Sequence, residues 1–253
     1  MTPVSSGRPP SGEAAPSLSQ TRPAADPRLA FRADINGLRA IAVLAVVAFH
    51  FGLAPARGGF VGVDIFFVIS GYLMTGIVLG RIERGTFSIL GFYLDRARRI
   101  VPALAVLIAA LLALGALFLL QNDYFQLARQ AGASALFVSN IAYWRDVGYF
   151  APPVEQQWLL HTWSLSLEWQ FYLLYPLLLP VLVRRAPSIW RHVLAGADLL
   201  SFAAMLALSR TDPAAGFYLL PPRAWELLAG GLATARRRSP DGPLGPPRLP
   251  GSD

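Results

Sequence analysis

The sequence predicts an all-α protein, a polytopic helical membrane bundle with six to seven transmembrane segments. Two observations lead to this fold class. First, 54% of the 253 residues are hydrophobic and only 15% are charged, which is too apolar for an ordinary soluble domain. Second, the apolar residues form runs close to the roughly 20 residues that a helix needs to cross a bilayer, whereas strands of a membrane barrel have about half that length.

Seven apolar runs are candidate spans. The fourth is interrupted by Arg129, Ser139 and Asn140, so we expect it to be tilted or re-entrant and not to cross fully. The seventh contains Pro221 and Pro222, which we expect to break the helix. The runs are Leu38–Leu53, Phe60–Leu79, Ile100–Leu120, Phe125–Trp144, Trp163–Val183, Val193–Leu208 and Phe217–Ala235.

Two segments of different composition flank the span-containing region, residues 31–235. Residues 1–30 are rich in Pro, Ser, Ala and Arg and lack the apolar core of a secretory signal, so they predict a disordered cytoplasmic arm. Residues 236–253 form a Pro/Gly-rich tail that is not expected to continue a helix.

The positions of the arginines predict the topology. All 22 basic residues are arginines, and in so apolar a chain the net charge of +7 indicates cytoplasmic loops, not a nucleic-acid interface. Arginines concentrate before the first candidate span, between the second and third, after the fifth and after the seventh. These regions, with the N-terminus, are therefore expected in the cytoplasm. Three candidate spans lie between Arg99 and Arg184, and an odd number of crossings would place these two arginines on opposite sides of the membrane. The conflict disappears if the fourth candidate does not cross.

Few residues are available for acid–base chemistry. The chain has no cysteine, which excludes disulfides, a thiolate nucleophile and cysteine-ligated metals. The three histidines, His50, His161 and His192, are the only side chains that titrate near neutral pH without strong perturbation.

Ionisable residues inside the candidate spans are functional hypotheses, because a charge at the centre of a bilayer costs at least about 2.5–3.5 kcal/mol. His50 follows Arg39 by eleven residues, close to three helical turns, so the two share a face. His50 is either hydrogen-bonded between helices or a general base for a hydroxyl. Asp64 either orients His50 from the neighbouring helix or caps a helix start. His161 is expected at the membrane interface.

Two further groups of polar residues have two interpretations each. Arg96 and Arg99 are spaced i,i+3 and either anchor a span or bind a phosphorylated ligand. Glu168 either acts chemically, as an acid or by binding a sugar hydroxyl, or links helices through hydrogen bonds. Ser164, Glu168 and Tyr172 are spaced i,i+4 and line one face, and Arg223 and Glu226 are spaced as an intrahelical ion pair. At this level an enzyme, a transporter and a structural membrane subunit all remain open.

The segments resemble the acyltransferase 3 family, the integral-membrane O-acyltransferases that modify bacterial surface polysaccharides. The family's Arg-x10-His pattern falls on Arg39 and His50, its Arg-x-x-Arg pattern on Arg96 and Arg99, and its acidic residue on Glu168. The matching blocks are FRADINGLRAIAVLAVVAFHFG, GGFVGVDIFFVISGYLMT, FYLDRARRIVPAL and LLHTWSLSLEWQFYLLYPLLL, with YLLPPRAWELLAGG as weaker support.

The resemblance implies a multi-pass enzyme of the inner membrane that moves an acyl group, with acetyl expected, from cytoplasmic acyl-CoA to a hydroxyl of a cell-surface or lipid-linked glycan. It implies no metal and no bound cofactor, with acyl-CoA as co-substrate. His50 would be the base, with Asp64 and Glu168 also in catalytic roles. The residues expected to bind donor or acceptor are Arg39, Arg96, Arg99, Ser164 and Tyr172.

Two departures from the family define the alternatives. The chain offers fewer spans than family members have, and the pattern stops after Gly231. The sequence therefore also fits a C-terminally truncated, inactive family member. A membrane transporter of an acyl group or an anionic solute is the other alternative, although no paired repeat supports it.

Overall fold

The structure, a computed structural model, describes residues 33–53, 57–148 and 157–237. The regular elements within these residues are helices, which confirms the predicted all-α class. The predicted arm at residues 1–30 and residues 238–253 of the predicted tail lie outside the described residues. The helices are α1 (Ala33–His50), α2 (Gly62–Glu83), α3 (Ile89–Phe118), α4 (Gln121–Ala135), α5 (Ser139–Asp146), α6 (Thr162–Arg185), α7 (Trp190–Thr211), α8 (Pro213–Tyr218) and α9 (Leu220–Arg237).

Five of the described helices are long and apolar enough to cross a membrane. They are α1, α3, α6, α7, and α2 together with the short 3-10 helix Gly59–Val61 that precedes it. The predicted number of six to seven is thus approximate, because the fourth and seventh candidates do not form long apolar helices.

Helix α3 begins eleven residues before the predicted run at Ile100. Ser88 starts it, since the Ser88 side-chain oxygen accepts a hydrogen bond from the Gly91 backbone N–H at 3.2 Å. Arg96 and Arg99 therefore lie inside the helix and not in a loop before it. The apolar run alone does not mark this start, because the first turns of α3 mix charged and aromatic residues.

The fourth candidate, Phe125–Trp144, is divided between α4 and α5. The break follows Ala135, and Phe137 adopts a left-handed backbone conformation with φ of 55°. Arg129 of α4 and Asp146 of α5 form an ion pair with a shortest distance of 2.7 Å. Neither helix is among those long and apolar enough to cross, in agreement with the expectation that this run does not span.

The predicted break at Pro221 and Pro222 was wrong. Both prolines lie in the first turn of α9, directly after Leu220. The first backbone N–H groups of a helix have no partner within the helix, so proline loses no hydrogen bond there. The chain breaks two residues earlier, at Leu219, between α8 and α9. Helix α9 then continues to Arg237 but is too polar to be counted among the five candidate spans.

Helices α2, α6 and α9 run in the same direction. Thr75 of α2 is hydrogen-bonded to Tyr175 of α6 at 2.7 Å, and Thr234 of α9 donates to the Tyr72 carbonyl of α2 at 2.8 Å. Their C-termini therefore gather at one end of the bundle, here called the arginine end. It carries Arg81, Arg84, Arg184, Arg185, Arg236 and Arg237.

The opposite end, here called the histidine end, carries His50 at the end of α1 and His161 at the start of α6. Between the arginines in the first half of α3 and Arg184, the chain contains two candidate membrane spans, α3 and α6. This is the even number of crossings that the arginine pattern requires.

Helices α2 and α9 approach each other through glycines. A Cβ atom on Gly71 would overlap the Leu227 carbonyl oxygen, and one on Gly230 would overlap the Val68 carbonyl oxygen. Lipid is as apolar as a leucine side chain, so membrane helices associate through close packing of small residues instead of through hydrophobic burial. The two glycines thus allow α9 to lie against α2, which sets the position of every α9 side chain relative to the site.

We expect Gly230→Ala to destabilise the protein by about 1–3 kcal/mol, since overpacking of a tight contact costs that much. Gly196→Ala on α7 is the matched control, because its added methyl group meets nothing within 4 Å and alanine favours the helix by up to about 1 kcal/mol. Unfolding in detergent measures both. Equal stabilities for the two variants would contradict the close α2–α9 contact.

Candidate active site

A cavity of about 230 Å³ lies where α1, α2 and α6 meet, in the half of the bundle nearer the histidine end. Its wall is mostly apolar, and Ser164 and Glu168 supply its polar side chains. A second pocket, of about 20 Å³, lies beside the Arg129–Asp146 pair and has room for about one water molecule. The larger cavity is lined by Ala42, Val43, Val46, Val47, Gly62, Val63, Phe66, Phe67, Ser164, Leu165 and Glu168.

Glu168 is buried within a hydrogen-bonded cluster, here called the Glu168 cluster, that also contains Ser70 and Tyr172. The hydroxyls of Ser70 and Tyr172 both donate to Glu168 Oε1, and the two hydroxyls also contact each other. The i,i+4 spacing predicted the Glu168–Tyr172 pair. Sequence analysis missed Ser70, although a lone serine beside Gly71 in the apolar run FVISGY was a usable signal. Ser164 lines the cavity but donates to the His161 carbonyl at 3.1 Å.

Arg96 extends this cluster towards the arginine end. Its guanidinium carbon lies 6.0 Å from the centre of the Tyr172 ring and 5.8 Å from that of Phe92. A guanidinium over an aromatic face is stabilised by the ring quadrupole. Arg99, predicted to share this face, is exposed. The structure therefore brings Arg96 to Tyr172 and leaves Arg99 at the surface.

Asp64 forms an ion pair with Arg223 of α9, with 2.6 Å between Oδ1 and Nη2. The predicted intrahelical pair of Arg223 with Glu226 is confirmed, at 3.1 Å. The Arg223 guanidinium also lies within 5.7 Å of the centres of three aromatic rings, those of Phe67, Trp163 and Phe217. Asp64 thus joins α2 to α9.

Neither role considered for Asp64 is seen in the structure. Val61 occupies the cap position of α2 and makes no side-chain cap bond, so Asp64 does not cap the helix. Among the described residues no hydrogen bond joins His50 to Asp64 or to Glu168, because both carboxylates have other partners. The partners of these carboxylates depend on how helices pack, which spacing along one helix does not predict.

His50 ends α1 with its ring in a defined orientation. Its Nδ1 lies 2.8 Å from the Val46 carbonyl oxygen, which can only accept, so Nδ1 is the donor in this contact. A neutral imidazole with its hydrogen on Nδ1 has a free lone pair on Nε2. That is the tautomer a general base needs. Because Val46 also lines the cavity, His50 stands one helical turn from the cavity wall.

Arg39 lies three turns from His50 along α1, about 16 Å away along the helix axis. Its guanidinium carbon is 4.8 Å from the centre of the Phe66 ring, which lines the cavity. Arg39 and His50 thus flank the cavity on the arginine side and the histidine side. Among the described residues, no group of three or more His, Asp or Glu side chains is arranged to hold a metal ion.

Comparison with known proteins then settles the family. A family model for the acyltransferase 3 group, described as an acyltransferase domain, matches residues 32–242. The chain belongs to the acyltransferase 3 family. Membership confirms the resemblance on which the sequence interpretation depends. Together with the five helices able to cross a membrane, it makes the chain a multi-pass membrane protein with an acyltransferase 3 domain.

Two relatives match this chain over part of their own length. The peptidoglycan O-acetyltransferase OatA of Listeria monocytogenes is 38% identical over 208 residues, which cover 78% of this chain and 32% of OatA. BcsY of Komagataeibacter xylinus, provisionally named a membrane-bound transacylase, is 36% identical over 202 residues, covering 79% of this chain and 50% of BcsY. The chain thus spans between a third and a half of these two proteins. No solved structure matches it.

We expect Tyr172→Phe to destabilise the protein by about 1–3 kcal/mol, because it removes a donor from a buried carboxyl group. Tyr218→Phe is the control, since no hydrogen bond of its hydroxyl is found among the described residues. The measurement is unfolding of both variants in detergent. If Tyr172→Phe costs no more than Tyr218→Phe, the Glu168 cluster does not hold α6 against α2.

Proposed function

We propose that this acyltransferase moves an acyl group, with acetyl expected, from acyl-CoA to a hydroxyl of a cell-surface or lipid-linked glycan. We place it in the inner membrane with its N-terminus in the cytoplasm, as the arginines gathered at one end of the bundle support. Because the chain spans only part of its relatives, donor, acceptor and turnover all belong to this proposal. The names of the relatives support O-acyl transfer to a glycan.

The observation that carries the proposal is the position and tautomer of His50. It lies one turn from the open, mostly apolar cavity with Nδ1 donating to Val46, so Nε2 is available to remove a proton. In an acyltransferase whose chain contains no cysteine, this is the general base that the described geometry favours. The cavity gives a transferred acyl group an apolar site between His50 and Arg39.

The proposed transfer is a substitution at the thioester carbonyl. The acceptor hydroxyl attacks the thioester carbonyl of the donor while His50 Nε2 removes the hydroxyl proton. The tetrahedral intermediate then collapses, the carbon–sulfur bond breaks, and the proton passes from His50 to the departing thiolate. The products are an O-acyl ester and free coenzyme A, and no acyl-enzyme forms.

The first turns of α3 lie at the arginine end, because Asp95 of α3 pairs with Arg81 of α2 at 2.6 Å, and this end is suited to the donor's phosphates. Arg99 is exposed and therefore accessible to a phosphate group, and the guanidinium geometry permits two parallel hydrogen bonds to it. Arg96 lies deeper, over Tyr172. A donor bound by Arg99 and then Arg96 would direct its thioester towards the Glu168 cluster and the cavity beyond it. Glu168 positions Tyr172 and also lines the cavity that would receive the acyl group.

Ester formation by protein in nanodiscs, supplied with labelled acetyl-CoA and a glycan acceptor, tests the base. We expect His50→Gln to lower the rate by about 100-fold or more, the usual contribution of a general base. His192→Gln, at an exposed position on α7, should leave the rate unchanged. An active parent whose His50→Gln variant is equally fast would contradict the assignment.

Binding of coenzyme A to the same nanodiscs tests the donor site separately from turnover. We expect Arg99→Gln and Arg96→Gln each to weaken binding about tenfold, since a charge-assisted hydrogen bond contributes about 1.5–3 kcal/mol, and added salt should weaken binding to the parent. Arg210→Gln, at the far end of α7, is the matched control. Equal losses in all three variants would remove the arginine end as the donor site.

A further inference from the structure

A second imidazole lies directly against His50. The ring centres of His50 and His161 are 4.5 Å apart, and the rings are nearly perpendicular, at 85°. The two residues come from different helices: His50 ends α1 and His161 immediately precedes α6. Both side chains are exposed at the histidine end of the bundle.

A positive charge on one ring repels a positive charge on the other. Burial and the proximity of His50 lower the pKa of His161 below its ordinary value. Two unit charges at about this distance repel by roughly 1 kcal/mol in water, and 1.36 kcal/mol corresponds to one pKa unit. A proton on one ring therefore makes a proton on the other ring less favourable.

We propose that His50 and His161 act as a pair in which a proton on either ring disfavours a proton on the other, with His161 as a positioning residue that stays neutral while His50 acts as the base. The pairing stands independently, whereas its catalytic role rests on the proposed function. During transfer, His50 accepts the hydroxyl proton and passes it to the thiolate. His161 stays neutral, because a proton on it would oppose the charge that forms on His50.

Other charged groups near the pair are partnered or exposed. From α2, Asp64 is paired with Arg223 of α9, and from α6, Glu168 is held by Ser70 and Tyr172 two turns deeper. From α4 and α5, Arg129 and Asp146 pair with each other. Arg57 and Arg145 are exposed at this end of the bundle. His161 is thus the ring that acts most directly on His50.

The pair is testable without turnover because the chain contains only three histidines. Nuclear magnetic resonance of protein labelled at histidine Cε1 follows each ring as pH changes, and single variants assign the signals. We expect His50→Gln to raise the titration midpoint of His161 by about 0.5–1 pH unit, since it removes the opposing charge. His192→Gln should leave that midpoint unchanged. An unchanged midpoint in His50→Gln would overturn the pair.

The rate of ester formation tests the catalytic role. We expect His161→Arg, which places a permanent positive charge against His50, to lower the rate about tenfold relative to the neutral His161→Gln. Equal rates for the two variants would overturn the role of His161. A raised His161 midpoint in a His50→Gln protein whose parent forms no ester would leave the pair intact and count against the proposed function.

Discussion

The structure depends on one constraint: polar side chains within a lipid-crossing bundle must find partners on neighbouring helices. Helix α2 is where these partners meet. On one side Ser70 and Thr75 bond to α6, and on the other side Asp64 pairs with Arg223 of α9. Removing such partners would leave buried charge unpaired, which is strongly destabilising. The apolar residues give the helices their length, and the polar pairs fix how they are arranged.

The candidate site follows from this arrangement. Because α1 packs against α2 while α6 is held by the Glu168 cluster, a cavity remains between the three helices. His50 and Arg39 come to its two sides from one face of α1. The proposed site therefore has its histidine at one end of the bundle and its arginines at the opposite end.

The sequence predicts contacts within one helix better than contacts between helices. Helical class, Glu168 with Tyr172 and Arg223 with Glu226 were predictable, because each depends on periodicity within one helix. The partners Ser70 for Glu168 and Arg223 for Asp64 were not, since they depend on the packing of separate helices. Proline was misleading at Pro221, because its effect reverses between the interior and the first turn of a helix.

The His161–His50 contact belongs to the same class of missed features. Nothing in the spacing of residues so far apart in sequence indicates that the end of α1 meets the start of α6. The contact became visible only once both helices were placed against α2. The orientation of His50 by Val46 was accessible in principle, because it is an i,i+4 contact within one helix.

The most direct test of the account is whether α9 lies parallel and adjacent to α2. A Cβ atom on Gly231 would lie 3.8 Å from that of Thr75, which is the mean separation in a disulfide. In this naturally cysteine-free chain, we expect Thr75→Cys with Gly231→Cys to form a disulfide on mild oxidation, measured by mass after alkylation. Gly196→Cys with Gly231→Cys should stay reduced. Two freely alkylated thiols in the first pair would contradict the arrangement on which the site depends.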